Sequence, residues 1–488
     1  MAEVSPSEQY SPHRWAALAF TLVAVLMDMV DATVMNIALP SLQRNLHASP
    51  TELEWTVAGY TLAFASGMIT GGRLGDRYGR RRMFLAGLTC FVVFSALAGV
   101  AVNPGMLIAA RVLQGLSAAL MVPQVLAMIQ VEFPRPEQPK AMSAYGLTFA
   151  IGGMGGPLIG GLLLSANLFG WDWRPIFYVN VVIGIPSLVG SWLLMRESRS
   201  PRAVSVDVPG MAIATAALLA LLYPLVEGRT LGWPWWIIVL MASSILFFAL
   251  FWAYEGRMTR RGRLPMIDPD VFRQSSVVGG LLVATLFFAG TAYTIVLTLH
   301  LQLGLGYSPL HAALTLVPFT VGFAPGTRLA PRMVVLGRRV ALIGSLVIAV
   351  GMALVTLAIA RYGTGLHTWQ LIPGLVIGGF GMSMVSGTLV NLVLAKVPPR
   401  QAGAASSMVN TAIQVGIAFG IALVGTIYFA GLDTGKGSVH SATVAMLVVV
   451  GLYALAACAT LVLPAGRVYL GGRPEPVKTG GATDLASN

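Results

Sequence analysis

Charge is scarce in this sequence, and acidic charge is the scarcest. Only 10% of the 488 residues are charged, whereas an ordinary soluble domain is about 25% charged. Hydrophobic residues make up 56% of the chain, and 19 Asp and Glu residues stand against 31 Lys and Arg residues. This composition excludes an ordinary soluble protein, because too few polar side chains are present to cover a water-facing surface.

Cysteine is nearly absent as well. Cys90 and Cys458 each lie inside an apolar stretch with no second cysteine nearby, so neither a disulfide framework nor a zinc site is indicated. We expect no metal and no cofactor. The first residues, MAEVSPSEQYSPHRW, lack the basic start and short apolar core of a secretory signal, and we expect the first apolar stretch to be retained.

Common catalytic motifs are also missing. The sequence has no G-x-S-x-G, no HExxH and no paired Cys and His constellation of the kind that supports hydrolytic or metal chemistry. The stretch GLDTGKGS (431–438) fails as a nucleotide-binding P-loop because its first glycine is one residue too close. We therefore expect a protein that is not an enzyme and does not use ATP.

Apolar runs of about 20 residues recur along the whole chain, and each can cross a hydrocarbon core of about 30 Å as a helix. Polar breaks divide the sequence into about 14 such runs. They cover residues 16–38, 55–75, 83–103, 105–129, 141–165, 174–195, 208–226, 234–254, 276–299, 309–330, 338–359, 368–394, 403–429 and 441–464. The sequence therefore predicts an all-α polytopic membrane protein.

Lys and Arg residues are distributed unevenly between alternate loops. If the N-terminus is cytoplasmic, about 25 of the 31 lie in the loops, tails and span ends of that side. The opposite loops hold Arg44, Arg174, Arg229, Arg361 and Lys436. This asymmetry predicts a multi-pass protein of the cell membrane with both termini in the cytoplasm.

A short motif occurs twice, as GGRLGDR at 71–77 and as GTRLAPR at 326–332. Each copy leads from the inner end of a span into a basic turn, and transporters are often built from two related halves. We expect the following domains: a six-helix bundle over 16–195, two extra helices with cytoplasmic loops over 196–275, a second six-helix bundle over 276–465, and cytoplasmic tails over 1–15 and 466–488.

The turn GGRLGDRYGRRR (71–82) has two interpretations. It is either a positive anchor at the inner membrane surface or a breakable latch, in which glycines permit close helix approach and Asp76 accepts hydrogen bonds from guanidinium groups. The second copy has Pro331 where the first has Asp76, so the latch is expected only in the first half. The residues of this predicted cytoplasmic gate are Gly72, Arg73, Gly75, Asp76, Arg77, Gly79, Arg80 and Arg81.

The stretch LMDMVDATVMNIALP (26–40) places Asp28 and Asp31 deep in the first apolar run, three residues apart and so on one helix face. Arg111 lies about 10 Å below Pro104, and Asp31 about 13 Å below Pro40, so their depths nearly match. A charge inside the hydrocarbon costs at least ~2.5 kcal/mol. The sequence therefore predicts that Arg111 has a partner, with Asp31 at the right depth.

Two roles remain open for these three residues. The pair is either a static ion pair that fixes helix register or a proton-coupling site in which Arg111 biases the ionisation of Asp31. Like charges three residues apart and burial favour protonation of one carboxyl, and a nearby arginine opposes it, so such a site can bind and release protons near physiological pH. Other acids, such as Glu132, Glu227 and Glu255, lie at span ends.

The segment 145–163 is rich in small residues. Gly152, Gly156 and Gly160 recur every four residues and share one helix face, where they let a neighbouring helix come near. Pro157 favours a bend, and Gly161 adds to the small-residue density. Close helix packing alone would explain the pattern; the density of glycines around Pro157 favours a functional role as the alternative.

Several of these stretches together resemble the major facilitator superfamily. The turn 71–82 is similar to its cytoplasmic loop signature, and LIAARVLQGLSAAL (107–120) to its fourth-span motif, with Arg111, Gln114 and Gly115 in place. The segment 145–163 resembles the fifth-span signature of antiporters, and this resemblance implies a role in sealing the central cavity in one state. VDATVMNIALP (30–40), WRPIFYVN, PMIDPDVF, LQLGLGYSP and AGAASSMVNTAIQVG resemble the fourteen-spanner drug:proton antiporter family.

This resemblance implies two six-helix bundles that rock around a central site by alternating access, with a gradient as the energy source. The resemblance favours Asp31 as the main coupling residue. The three-residue spacing between the two aspartates gives Asp28 a tuning role or a share of the proton. Asn36, Gln114, Phe380 and Met384 are further candidates for cavity lining or coupling. Flexible thioethers and flat rings suit variable apolar ligands.

We therefore expect a proton-coupled exporter of hydrophobic small molecules such as drugs or antibiotics, acting as a monomer in the lipid bilayer without nucleic acid. One alternative is a dedicated exporter of a single endogenous metabolite, antibiotic or lipid. Another is a polytopic receptor that does not transport, against which the short tails count.

Overall fold

The structure is a computed structural model of the single chain. It describes residues 11–134, 136–199, 207–228, 231–261, 275–333, 336–386, 388–394 and 402–463. Most of the expected N-terminal tail, the C-terminal tail 466–488 and the stretch PMIDPDVF (265–272) lie outside these residues.

Sixteen α-helices account for most of the described chain. They are α1 (Arg14–Leu46), α2 (Pro50–Tyr78), α3 (Arg80–Gly99), α4 (Pro104–Glu132), α5 (Gln138–Ala166), α6 (Pro175–Leu194), α7 (Val208–Glu227), α8 (Trp235–Arg260), α9 (Ser275–Ala289), α10 (Tyr293–Leu299), α11 (Pro309–Met333), α12 (Arg338–Tyr362), α13 (Thr368–Ser386), α14 (Leu389–Leu394), α15 (Ala402–Asp433) and α16 (Gly437–Ala459).

The all-α prediction is confirmed, and helix covers each of the predicted apolar stretches. Within the described residues, eleven helical segments are long and apolar enough to cross a membrane. The chain is thus a multi-pass membrane protein by its helices, while the count of fourteen spans stays a prediction.

Two stretches predicted as single spans are interrupted. The stretch 276–299 is broken at Gly290–Ala292 by a 3-10 turn, and a π-helical turn, His300–Gly304, follows α10. Gly290 faces the ring of Tyr453 at a distance that leaves no room for a Cβ atom, and the Thr291 hydroxyl donates to the Phe288 carbonyl at 2.5 Å. The stretch 368–394 divides into α13 and α14. Such breaks leave the hydrophobicity of a window unchanged, so a count of apolar residues does not detect them.

Helix packing repeats between the first six helices and the last eight. In the first group α4 packs on α2 and α3, and α1 packs on α5 and α6. In the second, α13 packs on α11 and α12, and α9 packs on α15 and α16. We call α1–α6 the first half and α9–α16 the second half. The halves meet where α2 packs on α15 and α5 packs on α11.

The two intervening helices pack against both halves. Helix α8 packs on α7, and α7 contacts α2 and α15. Leu218 and Leu222 of α7 form an apolar cluster with Leu62 of α2 and Ala418 of α15. Hydrogen bonds add to it, because the Thr426 hydroxyl of α15 donates to the Leu225 carbonyl at 3.1 Å and the Trp55 indole of α2 donates to Glu227 at 2.9 Å.

Direct hydrogen bonds join the halves toward one end of the molecule, which we call the Pro40 end. The Gln302 amide donates to the Ile37 carbonyl at 3.0 Å, and the Leu310 amide to the Ser165 hydroxyl at 3.3 Å. The opposite end carries the turn 71–82 and is called the basic end. Contact between the halves thus closes the Pro40 end.

At the basic end, Glu137 ties α1 to the start of α5. The Arg14 guanidinium donates to both carboxylate oxygens, at 2.6 and 3.0 Å, and the Trp15 indole donates at 3.0 Å. The hydrogen bond from Arg14 is the largest cause that lowers the pKa of Glu137 below its ordinary value of 4.5.

This shift predicts a pH-dependent effect of E137Q. Because the folded-state pKa is lowered, the stabilisation is present above pH 4.5 and is lost as pH falls through the lowered value. We expect E137Q to lower the thermal unfolding temperature of purified protein at neutral pH, and the difference from wild type to shrink at acid pH. D172N, at the other end of the bundle, is the control, and a difference constant with pH would contradict the prediction.

Candidate functional site

A cluster of polar side chains is buried in the middle of the first half. We call it the central polar cluster; its members are Asp28 and Asp31 of α1, Tyr60 of α2, Ser95 of α3, Arg111 and Gln114 of α4, and Asn180 of α6. All seven are at most 3% exposed. Ionisable groups at such positions in a membrane protein are expensive and mark functional sites.

Helical spacing brings the cluster together. Asp28 and Asp31 share one face of α1, and Arg111 and Gln114, also three residues apart, share one face of α4. Gly115 lies against the Tyr60 carbonyl, where a Cβ atom would overlap the α2 backbone. The absence of a side chain at this position therefore lets α4 approach α2 closely enough for Arg111 to reach α1.

Arg111 forms an ion pair with Asp31, through Nη1 and Oδ2, and both side chains are almost completely buried. The same nitrogen donates to Gln114 Oε1 at 3.1 Å, and Nε donates to the Thr56 carbonyl at 3.3 Å. The guanidinium carbon lies 4.2 Å from the centre of the Tyr60 ring. The arginine charge is thus compensated by a carboxylate and a π face.

Further polar groups complete the surroundings of the carboxylates. Asn180 donates to Asp31 Oδ1 at 2.5 Å, and Ser95 accepts from Gln114 at 2.7 Å and from Asn180 at 3.3 Å. The Tyr60 hydroxyl donates to Asp28 Oδ1. Tyr60, Ser95 and Asn180 were not among the candidate residues predicted from the sequence. Their signal is weak, since each is one polar residue inside an apolar stretch.

In the predicted cytoplasmic gate, Asp76 pairs with Arg80 across the α2–α3 turn at 2.7 Å. Gly79, at the turn, has a φ of 113°, a conformation that favours glycine. Arg81 donates through its backbone to Glu197 at 3.2 Å and through its side chain to the Trp192 carbonyl at 2.5 Å. These bonds join the turn to the end of α6 and the residues after it.

Other members of the gate have different neighbours. Arg73 interacts electrostatically with Glu255 of α8 and with Asp207, which caps the start of α7. Arg77 lies over the Tyr78 ring, 5.3 Å from its centre. The structure thus directs Arg73 toward the two intervening helices and leaves Arg80 as the partner of Asp76.

Of the gate glycines on α2, Gly75 allows a close approach to α4, whereas a Cβ atom at Gly72 would make only an ordinary contact. Gly75 lies against the side chain of Gln124, and a Cβ atom at Gly72 would be 3.8 Å from Pro123. Gln124 in turn donates to the Gly71 carbonyl at 2.7 Å. The latch role of the turn stays a prediction.

The glycines of α5 face two different helices. Gly152, Gly156 and Gly160 lie against Met29, Thr33 and Val34 of α1, with no space for a Cβ atom. A Cβ atom at Gly161 would lie 2.8 Å from Ala313 of α11, in the second half. Pro157 lies inside the same helix. Helix α5 therefore packs tightly between α1 and the second half, and a sealing role stays a prediction.

The remaining candidates lie apart from the central polar cluster. Asn36 donates to Thr294 of α10 at 3.4 Å and so reaches the second half. Phe380 is partly buried on α13, and Met384 is 1% exposed and packs against Gly344 of α12. The packing of Met384 within the second half gives no support to a cavity role for this residue.

Glu54, which was not predicted from the sequence as a candidate, is only 4% exposed. It lies beside a small cavity at the Pro40 end, lined by apolar residues of both halves that include Leu39, Ile295 and Phe429. Glu255, placed by sequence at a span end, is 1% exposed. Position along a span therefore does not report burial, because neighbouring helices cover the ends as well.

The packing of the α5 glycines predicts how alanine substitutions there change stability. G156A would place a Cβ atom against Thr33 and the Val30 carbonyl of α1, at an expected cost of about 1–3 kcal/mol. G153A is the matched control, because nothing lies within 4 Å of a Cβ atom there. We expect thermal unfolding in detergent to show G156A destabilised and G153A unchanged or slightly stabilised. Equal effects of the two substitutions would contradict the packing.

The ion pair predicts that the effects of D31N and R111Q on the free energy of unfolding are not additive. R111Q leaves Asp31 buried without its cation, at a cost of about 3–5 kcal/mol. In D31N/R111Q both charges are gone, so we expect this variant to be more stable than the sum of D31N and R111Q. A double-mutant cycle of unfolding free energies measures the difference. Additive effects would mean that the two residues do not interact.

Relatives of known name match most of this chain. A protein of Streptomyces coelicolor named "Probable actinorhodin transporter" is 42% identical over 419 residues, which are 85% of this chain and 72% of that protein. A puromycin resistance protein of Streptomyces alboniger is 36% identical over 470 residues, with 93% and 92% covered. A tetracenomycin C resistance and export protein of Streptomyces glaucescens is 31% identical over 436 residues, with 87% and 77% covered.

Solved structures match the fold. A crystal structure of an auto-inhibited POT family peptide transporter has a TM-score of 0.67 at 19% identity and covers 94% of this chain and 99% of its own. A D-xylose-proton symporter has a TM-score of 0.64 at 16% identity, with 92% and 98% covered. The sequence profile of the Major Facilitator Superfamily matches residues 21–254 and 208–421. With this match and these relatives, the chain belongs to the Major Facilitator Superfamily of membrane transporters.

Proposed function

We propose that the protein is a proton-coupled exporter of hydrophobic small molecules, of the fourteen-spanner drug:proton antiporter type. The observation that carries this proposal is the central polar cluster, in which two carboxylates and one arginine are buried in the middle of the first half. A static structural role requires only one acid for one arginine. The second carboxylate supplies a group that can change its protonation without leaving Arg111 unpaired.

The packing of the halves supports alternating access. The hydrogen bonds of Gln302 with Ile37 and of Leu310 with Ser165 close the Pro40 end. In the proposed cycle, the substrate enters from the basic end, taken as cytoplasmic, and the Pro40 end opens to the outside after the halves rock. Asp76, which in this structure pairs with Arg80 of its own half, would then exchange partners at the turn 71–82 to hold the basic end closed. Proton exchange at the cluster would select between the two states.

The relatives favour an antibiotic or a related drug as the substrate. Their names refer to actinorhodin, puromycin and tetracenomycin C, which suggests export and resistance as the biological role. Because several relatives are named after a single antibiotic, a dedicated exporter of one compound is the second candidate. The proton gradient is the proposed energy source, with no cofactor, and the protein is proposed to act as a monomer with both termini cytoplasmic.

Flux in proteoliposomes tests the coupling. Purified protein is reconstituted with a pH-sensitive dye inside, and puromycin, tetracenomycin C, actinorhodin and ethidium are added separately under an imposed pH gradient. We expect at least one compound to move against its gradient together with counterflow of protons, and we expect a protonophore to abolish the movement. D31N should reduce coupled flux by about tenfold or more.

The control is G153A, which leaves the cluster intact. Transport that continues unchanged after the pH gradient is collapsed would contradict proton coupling. Movement of one compound alone favours the dedicated exporter, whereas movement of several unrelated compounds favours the multidrug exporter.

A further inference from the structure

The two carboxylates of α1 have unequal surroundings. Both oxygens of Asp31 are engaged, Oδ2 by Arg111 and Oδ1 by Asn180 at 2.5 Å and Gln114 at 3.5 Å. Asp28 accepts one hydrogen bond, from the Tyr60 hydroxyl to Oδ1. Its Oδ2 is buried and has no hydrogen-bond partner within the part of the chain that the structure describes.

This difference decides which carboxyl tolerates a negative charge. A buried carboxylate needs a counter-ion and donors to its oxygens, and Asp31 has both. Asp28 has one neutral donor and a second carboxylate three residues away, whose charge opposes ionisation. A neutral hydroxyl at Oδ2 costs far less than an unpaired buried anion, while Oδ1 of the neutral acid can still accept from Tyr60.

The charged and titratable groups around Asp28 agree with this distribution. Those that act on it are Asp31 on the same helix, Tyr60 of α2, Arg111 of α4 and Tyr145 of α5. Asn180 of α6, the adjacent helix, is a neutral amide that donates to Asp31. Arg111 is the one cation in this group, and its ion pair is made with Asp31. Since the one cation, Arg111, is balanced by the one anion, Asp31, we take Asp28 to be neutral.

We propose that Asp28 is the proton-binding carboxyl of this transporter, that Asp31 and Arg111 form the fixed ion pair beside it, and that Tyr60 is the residue that positions Asp28. The proposal rests on the proton-coupled function above and names its site. It differs from the expectation taken from the family resemblance, which favours Asp31 as the main coupling residue.

The proton balance is simple. In the state closed at the Pro40 end, Asp28 carries a proton on Oδ2. Release breaks this O–H bond, transfers the proton to water that enters from the open side, and leaves a carboxylate that Tyr60 still contacts. The guanidinium of Arg111 lies over the same Tyr60 ring, so it is the nearby cation that can stabilise the new charge. Reprotonation from the other side restores the neutral acid.

Infrared spectroscopy of the reconstituted protein tests this assignment with the proton itself as the probe. Difference spectra between about pH 5 and about pH 9 report the C=O band of a buried carboxylic acid that is lost on deprotonation. We expect this band in wild type and its loss in D28N. It should persist in D31N/R111Q, which removes the ion pair without changing net charge, and Y60F should raise its frequency because the hydrogen bond to Oδ1 is lost.

Several results would overturn the proposal. The band could remain in D28N and vanish in D31N/R111Q, which would make Asp31 the proton site, or it could be unaffected by Y60F, which would remove the positioning role. If D28N does not fold, D28E keeps the acid but moves it, so the band must shift, and an unchanged band counts against Asp28. No substrate is needed, so the outcome is independent of the flux experiment. A failed flux assay would contradict the proton-coupled function, whereas a carboxylic acid band that comes from Asp31 would contradict only the assignment of the proton to Asp28.

Discussion

The free-energy cost of a buried charge in a membrane protein shapes the first half of this structure. Arg111 is the deeply buried cation of the central polar cluster, and its position requires an anion at the same depth. Asp31 on α1 supplies the anion, Asn180 on α6 and Gln114 on α4 orient it, and Tyr60 on α2 covers the guanidinium. Four helices are therefore joined by one electrostatic requirement, and a change in the charge state of the cluster affects all of them.

Small residues allow the helices to approach closely enough for this arrangement. Gly115 allows α4 to approach α2, and the glycines of α5 allow it to lie flat against α1 and to contact α11. The cluster and the contact between the halves are thus linked through α1 and α5.

Much of the fold and part of the site could be predicted from the sequence. Apolar runs marked the helices, and counting residues from two prolines placed Arg111 and Asp31 at one depth, where the structure pairs them. The interruption at Gly290–Ala292 was not predicted, since it accompanies a tertiary contact of Gly290 with the Tyr453 ring. Tyr60 and Asn180 were missed for the same reason: a single polar residue has no periodicity, and its partners come from other helices.

Helices α7 and α8 have a consequence for the outline of the molecule within the bilayer. Helix α7 covers the junction between α2 and α15 and is bonded to both. In the described structure the junction between α5 and α11 has no comparable helix over it. The repeat of the two halves is therefore broken on the surface that faces lipid: on one side lipid meets a helix that covers the junction, and on the other it meets the α5–α11 junction itself.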